Sequence, residues 1–384
     1  MVELGTLIQQ AKTVRCGSDD YPILSMTMHD GLVFQDDKFK KIIASKDRSD
    51  YKVVKRNQLV ISFPIDEGVL AAQRIVDAGI VSPAYSIWDI DQEKILPEFL
   101  EYALRCDRAL SYYKAKLRGS TARRRSLPTP TLLAFTVPLP SVSEQQFVLD
   151  VIHEAKKIID NRSEEIQQLD NLVKARFVEM FGTETEFDKW PCCTIGDVAD
   201  VCVGVVIKPT QYYTDKGIPA FRSLNIGEMR VKDSDWVYFT EEGHQKNQKS
   251  VVHKNDVLVV RSGAPGTACV ATEKYDGYNA VDIIIAHPDN NKVNSIFLAA
   301  FTNMPHGMNQ ICERTGGAAQ QHFNVGGYKA MRLIMPSIEL QNRFATFVEQ
   351  TDKSKVVESI HRMNVLFNIT LNGGNRYDIR ANEF

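Results

Sequence analysis

The chain has 384 residues, with 46 Lys and Arg against 48 Asp and Glu and a formal net charge of −2. Its 43% hydrophobic and 24% charged residues are ordinary for a globular protein and exclude a disordered or collagen-like chain. The near-neutral charge argues against a uniformly basic nucleic-acid coat. No run approaches about 18 consecutive apolar residues, and the N-terminus lacks a basic stretch followed by an apolar core. We therefore expect two or three domains, no membrane span and a cytoplasmic location.

Strand-like and helical patterns alternate along the chain. Strand-length runs of β-branched or apolar residues predict strands at 53–63, 131–139, 256–261 and 281–286. Helical spacing of apolar residues predicts helices at 96–113 and 293–312.

The sequence also repeats itself at a very long period. Three segments recur in the same order at separations of 196 to 198 residues. Such a period is far too long for a solenoid repeat and predicts two homologous, domain-sized modules. The matching pairs are Tyr21–Met28 with Ile218–Ile226, Lys55–Ser62 with His253–Val260, and Pro138–Val142 with Ile334–Ile338.

A long helix is predicted after the first module. Residues 143–181 contain no Pro or Gly, and Ser143 is a suitable N-cap. Apolar residues recur at an average period of 3.5, which is typical of a coiled coil; an amphipathic helix packed on a globular core is the alternative. The apolar seam residues are Ile152, Ala155, Ile159, Ile166, Leu169, Val173 and Met180, with Arg162 and Arg176 in two further seam positions.

A second, less regular helical pattern starts at Ser337 and decays after about Lys355. The predicted fold class is α+β: two homologous mixed α/β domains joined by long coiled-coil helices. The predicted segments are a first domain at 1–141, a central spacer helix at 142–184, a second domain at 185–336, a distal spacer helix at 337–370 and an atypical tail at 371–384.

Positive charge is concentrated in one segment of the first module, where eight Lys or Arg face one Asp. Hydroxyl side chains are interleaved with these cations, a composition that is typical of a phosphate-contacting surface. The consecutive Arg123–Arg125 can bind guanine edges through their planar forks. The basic residues are Arg105, Arg108, Lys114, Lys116, Arg118, Arg123, Arg124 and Arg125.

The long helix has the opposite charge. Residues 143–188 hold eleven Asp and Glu against five Lys and Arg, a balance of −6. This charge favours a spacer or a protein-docking element over a DNA-contacting one.

The second module replaces the arginines with amides at the equivalent place. Residues 314–324 keep small residues and Gly but carry Gln, His and Asn. Because Gln and Asn pair best with adenine and Arg with guanine, the two modules are expected to share a scaffold and differ in readout. A polar loop that packs on its own domain is the alternative.

Signatures of catalysis are absent from the sequence. There is no Gly-x₄-Gly-Lys-Ser/Thr phosphate loop, no glycine-rich dinucleotide motif and no Gly-x-Ser-x-Gly elbow. The eight histidines lack metal-ligand spacing, and the seven cysteines form no Cys-x-x-Cys pair. We therefore expect a binding protein with free thiols and with no cofactor or metal on this chain.

Three segments resemble type I restriction–modification DNA specificity subunits. Val137–Gln146 is similar to that family's strand-to-helix junction, Leu169–Gly182 to the end of its central helix, and Gly317–Asn324 to a loop of its recognition domains. The resemblance covers about residues 1–365. It implies that the two homologous domains are target recognition domains and that the two long coiled-coil helices pack antiparallel.

This resemblance implies a division of labour within a larger complex. Each recognition domain would read one half of a bipartite site in double-stranded DNA, and the two helices would dock two methyltransferase subunits. Those partners would bind S-adenosylmethionine, and a separate motor-nuclease subunit would use ATP and Mg²⁺. This chain would supply specificity without catalysis.

Candidate DNA-contacting residues follow from the charged and polar segments of both modules. In the first module they are Arg123, Arg124, Arg125, Lys114, Lys116, Arg118, His29 and Asp30. In the second module they are Lys208, Arg222, Ser223, Asn225, Arg261, Gln320, Gln321, His322 and Asn324.

Two alternatives from other classes remain open. A self-contained DNA methyltransferase or nuclease would need a cofactor or metal site that the sequence does not display. A coiled-coil scaffold that does not bind DNA would leave the basic cluster unexplained.

Overall fold

The computed structural model describes residues 1–28, 30–38, 48–117, 127–315 and 322–354. These residues form two compact units, one within residues 1–163 and the other within residues 164–354. Both units combine helices with β-sheets, so the predicted α+β class is confirmed.

The first unit is built around a four-stranded antiparallel sheet with the order β2-β9-β6-β7. Its strands are β1 (Val2–Glu3), β2 (Ile8–Gln10), β3 (Leu24–Thr27), β4 (Gly31–Phe34), β5 (Lys52–Lys55), β6 (Leu59–Ile61), β7 (Leu70–Ala72), β8 (Ala78–Val81), β9 (Ser86–Ile90) and β10 (Thr136–Val137). Its helices are α1 (Gln35–Lys38), α2 (Pro97–Arg105), α3 (Asp107–Lys116), α4 (Thr129–Leu133) and the first half of α5 (Val142–Phe181).

The second unit is built around a four-stranded antiparallel sheet with the order β12-β21-β18-β19. Its strands are β11 (Cys192–Thr194), β12 (Ala199–Val203), β13 (Tyr213–Thr214), β14 (Ile218–Phe221), β15 (Ile226–Gly227), β16 (Arg230–Val231), β17 (Val237–Phe239), β18 (Val257–Val260), β19 (Ala268–Val270), β20 (Asn279–Ala280), β21 (Ile283–Pro288) and β22 (Arg332–Ile334). Its helices are α6 (Ile195–Val198), α7 (Glu241–Lys246), α8 (Ser295–Asn303), α9 (Pro305–Thr315), α10 (Val325–Lys329) and α11 (338–354).

The two units use the same order of elements. In both central sheets the last of the four strands along the chain lies between the first and the second, and the second pairs on its other side with the third. A helix pair, a short helix, a strand and a long helix then follow the sheet in each unit. This correspondence is what the long sequence repeat predicts.

Two of the predicted strands are corrected by the structure. Residues 53–63 form two strands, β5 and β6, because the chain turns at Asn57, which adopts a φ of 67°. Residues 131–139 begin as the helix α4 and become a strand only at Thr136. Pro130 suits a helical first turn, and the buried Leu132 satisfies the apolar pattern from a helix.

The two predicted helices of the modules are each a pair of helices. Cys106 separates α2 from α3 and is extended, with a ψ of 157°. Met304 separates α8 from α9 with a ψ of 162°. The second break has a local cause, because Pro305 disfavours helical backbone at the preceding residue.

A buried glutamine fixes the start of each long helix. Gln145, which is fully buried, accepts a hydrogen bond from the Leu96 amide at 2.8 Å and donates to the carbonyls of Lys94 and Pro140, each at 2.9 Å. The Leu96 amide immediately precedes α2, so its hydrogen bond orients the entry into that helix as well as α5.

The second unit repeats this contact. Gln341, also fully buried, accepts from the Asn294 amide at 2.9 Å and donates to the Pro336 carbonyl at 2.9 Å. Asn294 is the N-cap of α8, so each long helix is attached to the start of the helix pair in its own unit.

The final turns of α5 are part of the second unit's core. Phe177 and Phe181 are buried, with ring centroids 5.4 Å apart between Phe177 and Phe344 and 4.9 Å apart between Phe181 and Phe297. Val173, Phe177 and Phe181 recur every four residues, so the predicted 3.5-residue seam gives way here to helix packing on a globular core. Each helix in the described ranges is too short or too polar to span a bilayer.

Replacing Gln145 with Leu tests the junction. The change leaves the Leu96 amide and two carbonyls without their buried partner, so we expect the free energy of unfolding to fall by about 2 kcal/mol or more. Urea denaturation followed by circular dichroism measures the change. Gln146→Leu is the matched control, because Gln146 is exposed and bonds only to Asp150 on its own helix. Equal destabilisation by both substitutions would contradict the role assigned to Gln145.

Candidate nucleic-acid interface

Several strands of the second unit end at one edge. β12 and β18 are both antiparallel to β21 and therefore run parallel to each other. β14 runs parallel to β20, and Val205, just after β12, forms a parallel bridge with Val281, just after β20. The segments that follow these strands consequently emerge on the same side. We call these segments the strand-end rim; they carry Ile207, Lys208, Arg222, Ser223, Leu224 and Arg261. We include His322 in the rim, because its neighbour Phe323 is hydrogen-bonded to Arg261.

Lys208 extends from the loop that follows β12. It adopts left-handed backbone with a φ of 45° and occupies the N-cap position of the short helical turn Pro209–Tyr212. Lys208 is exposed to solvent. The loop therefore presents a positive charge beside the exposed Ile207.

The segment after β14 is held by an internal amide. Asn225 is fully buried; its side-chain oxygen accepts from the Arg222 amide at 2.9 Å, and its side-chain nitrogen donates to the Ser234 carbonyl at 2.7 Å. Asn225 thus shapes the turn, while Arg222 and Ser223 lie partly exposed above it. The Arg222 guanidinium also donates to the Asp235 carbonyl.

Arg261 connects two parts of the rim. Its guanidinium contacts the Asp282 carboxylate at 2.6 Å and donates to the Phe323 carbonyl at 3.0 Å. The Phe323 amide in turn donates to the Arg261 carbonyl at 2.9 Å. The Arg261 side chain is only 15% exposed, so in this arrangement it chiefly positions the segment that carries His322.

His322 is exposed next to the buried Phe323, which anchors it to the rim. Asn324 caps α10, with its side-chain oxygen accepting from the Gly327 amide at 2.7 Å. The structure therefore brings Lys208, Arg222 and His322 to one edge, and Asn324 supports that edge. Gln320 and Gln321 lie outside the described residues.

In the first unit, the basic cluster divides into internal and exposed cations. Arg108 donates to the Thr136 carbonyl at 2.7 Å and lies 4.6 Å above the Phe135 ring. Lys114 and Lys116 are exposed near the end of α3. Four other predicted contacts lie outside the described residues: Arg118, Arg123, Arg124 and Arg125.

Arg105 ties the β3–β4 hairpin to α2. It donates to the Met28 carbonyl at 2.7 Å and lies 3.4 Å from the Glu101 carboxylate. Burial raises the pKa of Glu101, although the Ala72 amide and the nearby arginines oppose that rise. Asp30 is exposed at the tip of this hairpin, where its amide donates to Thr27. His29 lies outside the described residues.

Two exposed apolar side chains of the rim are not predicted by any pattern in the sequence. Ile207 is 79% exposed and Leu224 is 65% exposed, each beside a cationic or hydroxyl residue. Apolar side chains in such a setting are suited to contact a thymine methyl group. Only the fold reveals them, because periodicity predicts burial and not which loop residues stay outside the core.

The fold and this edge define a two-unit α+β chain with polar, cationic loops at its strand ends. No family model matches the chain. In sequence it is 22% identical over 291 residues to the type I restriction enzyme EcoBI specificity subunit of Escherichia coli. That match covers 68% of this chain and 60% of the subunit, so the chain spans about three fifths of the relative's length.

The fold is similar to that of solved type I restriction–modification proteins. A structure from work on complex assembly and conformational transition of the type I R-M system has a TM-score of 0.55 at 14% identity, covering 99% of this chain and 97% of that one. The type I S subunit from M. genitalium has a TM-score of 0.48 at 12% identity, covering 96% and 93%. The likeness in sequence to the EcoBI specificity subunit confirms the resemblance to type I specificity subunits that the sequence motifs predict.

Replacing Arg261 with Gln tests the connection within the rim. The substitution removes the ion pair with Asp282 and the bond to the Phe323 carbonyl, so we expect a loss of about 1–3 kcal/mol in the stability of the second unit. Urea denaturation monitored by intrinsic fluorescence measures the loss. Arg230→Gln, at an exposed position of β16, is the control, and a loss of the same size there would refute the specific role of Arg261.

Proposed function

We propose that this chain is the DNA specificity subunit of a type I restriction–modification complex. Its role is to bind a particular DNA sequence and to bring that sequence to partner enzymes. The observation that carries the proposal is a repeated scaffold whose polar surfaces differ in chemistry: exposed lysines lie in the last turn of α3 in the first unit, whereas a mixed cationic and polar rim closes the second. The likeness to the EcoBI specificity subunit supports the same conclusion.

Each unit reads one half of a bipartite site in double-stranded DNA. In both units cations bind phosphates and set the position, while side chains that reach base edges select the sequence. In the first unit we assign these roles to Lys114, Lys116 and the arginines of the basic cluster, together with His29 and with Asp30 at the tip of the β3–β4 hairpin. In the second unit Lys208 and Arg222 bind phosphate, and Ser223, His322 and the adjacent Gln320 and Gln321 face the bases.

The long helices separate the two readers and dock the enzymes. The 40 residues of α5 span about 60 Å at 1.5 Å per residue, which is longer than one turn of DNA. We propose that α5 and α11 pair as antiparallel coiled-coil helices and bind two methyltransferase subunits. Phe147, Val151 and Leu172 are exposed apolar side chains of α5 that suit such an interface.

The chemistry resides on the partners. S-adenosylmethionine belongs to the methyltransferase subunits, and ATP and Mg²⁺ belong to the motor-nuclease subunit. This chain contributes no catalytic residue, and the complex works in the cytoplasm. If the purified chain alone methylated or cut DNA, it would be an enzyme instead. If the complex retained no DNA, a scaffold role would replace the proposal.

Replacing Lys208 with Gln tests the second reader. Losing one phosphate contact weakens binding to all sequences about equally and lowers the slope of log K against log salt by about 1. Filter binding by the assembled complex over a range of salt concentrations measures the slope. Lys216→Gln is the matched control, an exposed lysine before β14 and therefore at the opposite end of that strand. A slope that Lys208→Gln leaves unchanged would argue against a phosphate contact.

Replacing Arg124 with Ala tests the first reader. Both halves of the site must be bound for methylation, so we expect methylation to be lost at complete bipartite sites. Methylome sequencing of cells carrying the variant measures this loss. Normal methylation by the Arg124→Ala complex would remove Arg124 from the interface.

Inserting residues into α5 within 155–175 tests the spacer. We expect the distance between the two half-sites to change while the bases of each half stay the same, because the readers themselves are untouched. Methylome sequencing identifies both features at once. Altered bases at unaltered spacing would contradict the assignment of α5 as the spacer.

A further inference from the structure

Three polar side chains line up across neighbouring strands of the second unit's central sheet. His287 is on β21, Cys202 is on the adjacent β12, and Asp256 immediately precedes β18 on the other side. Asp200, two residues before Cys202, is the register partner of His287. Since side chains two residues apart in a strand share a face, Cys202 and His287 lie diagonally on the same face.

His287 lies within contact distance of both of the other side chains. His287 Nδ1 is 2.7 Å from Asp256 Oδ1, and His287 Nε2 is 3.6 Å from Cys202 Sγ. The other Asp256 oxygen accepts from the His253 amide at 2.6 Å. A carboxylate thus orients an imidazole whose second nitrogen faces a thiol, which is the arrangement of an activated cysteine.

The group is partly accessible to solvent. The Asp256 side chain is 4% exposed and the His287 side chain 30% exposed, while Cys202 is partly exposed. Cys202 Sγ–H donates to the Lys249 carbonyl at 3.2 Å. The buried carboxylate is therefore the support, and the sulfur is the end that a reagent reaches.

The first unit shows that the fold does not require these residue types. By strand register, Gln58 takes the place of Asp256, Asp89 that of His287 and Ala11 that of Cys202. Gln58 donates a hydrogen bond to Asp89 at 2.7 Å. An amide and a carboxylate satisfy the same sheet position without a base or a nucleophile. The thiol, imidazole and carboxylate are thus a feature of the second unit alone.

We propose that Cys202 is a thiol-modification site at which His287 promotes exchange with small disulfides and Asp256 positions His287. In the exchange, Cys202 Sγ attacks one sulfur of the disulfide and the S–S bond breaks. A new bond joins Cys202 to that sulfur, and the leaving thiolate takes up the proton that Cys202 releases. Cys202 is oxidised to a mixed disulfide, while the leaving sulfur is reduced to a thiol.

The electrostatic surroundings favour a cationic imidazole. The hydrogen bond to Asp256 is the main cause that raises the pKa of His287 to about 10, with Cys202 contributing. A protonated Nε2 donates toward the sulfur and stabilises negative charge on it. The other charged or titratable groups near His287 are Asp200, which pairs with Lys329, and His253, which pairs with Asp276 and whose ring centroid is 6.1 Å away.

The chain contains its own comparison thiols. Cys312 is exposed on α9 and measures the rate of an accessible cysteine. Cys269 is fully buried, and burial raises its pKa to about 12. Because Cys269 lies on β19 of the same sheet, its reaction reports opening of that sheet.

The experiment treats the full-length chain with oxidised glutathione and follows each cysteine by peptide mass spectrometry. We expect Cys202 to react at least about tenfold faster than Cys312 at neutral pH. H287Q should reduce the Cys202 rate to near that of Cys312 and leave Cys312 unchanged. Equal rates at Cys202 and Cys312 in the unmodified chain would overturn the proposal without need of any variant.

The pH profile separates the roles of His287 and Asp256. In the unmodified chain the advantage of Cys202 over Cys312 should hold between about pH 6 and pH 8, because His287, whose pKa is raised to about 10, stays protonated there, while ordinary thiols, which ionise near pH 8.5, are still mostly protonated. In D256N the advantage should instead fall away above about pH 6.5, where an ordinary histidine loses its proton. An unmoved profile in D256N, with Cys269 still protected, would contradict the positioning role of Asp256.

Discussion

In each unit a buried side-chain amide joins the backbone before the helix pair to the turn before the long helix, and the rest of the architecture depends on it. Gln145 makes two hydrogen bonds to the segment before α2 and one at the turn that leads into α5. Gln341 repeats the contact at α8 and α11. An apolar residue of similar size would leave these backbone groups unsatisfied, which is costlier than the gain from a hydrogen bond. The long helix therefore leaves each unit from a fixed point.

Local patterns in the sequence predict much of this fold. The absence of Pro and Gly predicts α5, and the apolar runs at 256–261 and 281–286 predict β18 and β21. The strand predicted at 131–139 is wrong before Thr136, because apolar, β-branched residues also suit a short buried helix. The coiled-coil repeat does not predict the burial of Phe177 and Phe181, because that burial depends on aromatic residues of distant segments.

For the candidate interface, the sequence predicts chemical character better than it predicts position. The cationic character of Lys114 and Lys208 follows directly from residue type, and both are exposed. Asn225 has a suitable side chain for reading a base, yet tertiary hydrogen bonds use its amide within the turn. The grouping of Cys202 with His287 depends on strand register, which no spacing along the chain encodes.

The aromatic residues at the end of α5 also determine what can be excised. A fragment starting at residue 185 would lack Phe177 and Phe181, and the faces of Phe297 and Phe344 that they cover would meet water. Such newly exposed rings promote aggregation. A soluble, independently folded piece of the second unit must include the last turns of the preceding helix. The helix is thus inseparable from the unit that follows it, although it appears in the chain as a connector.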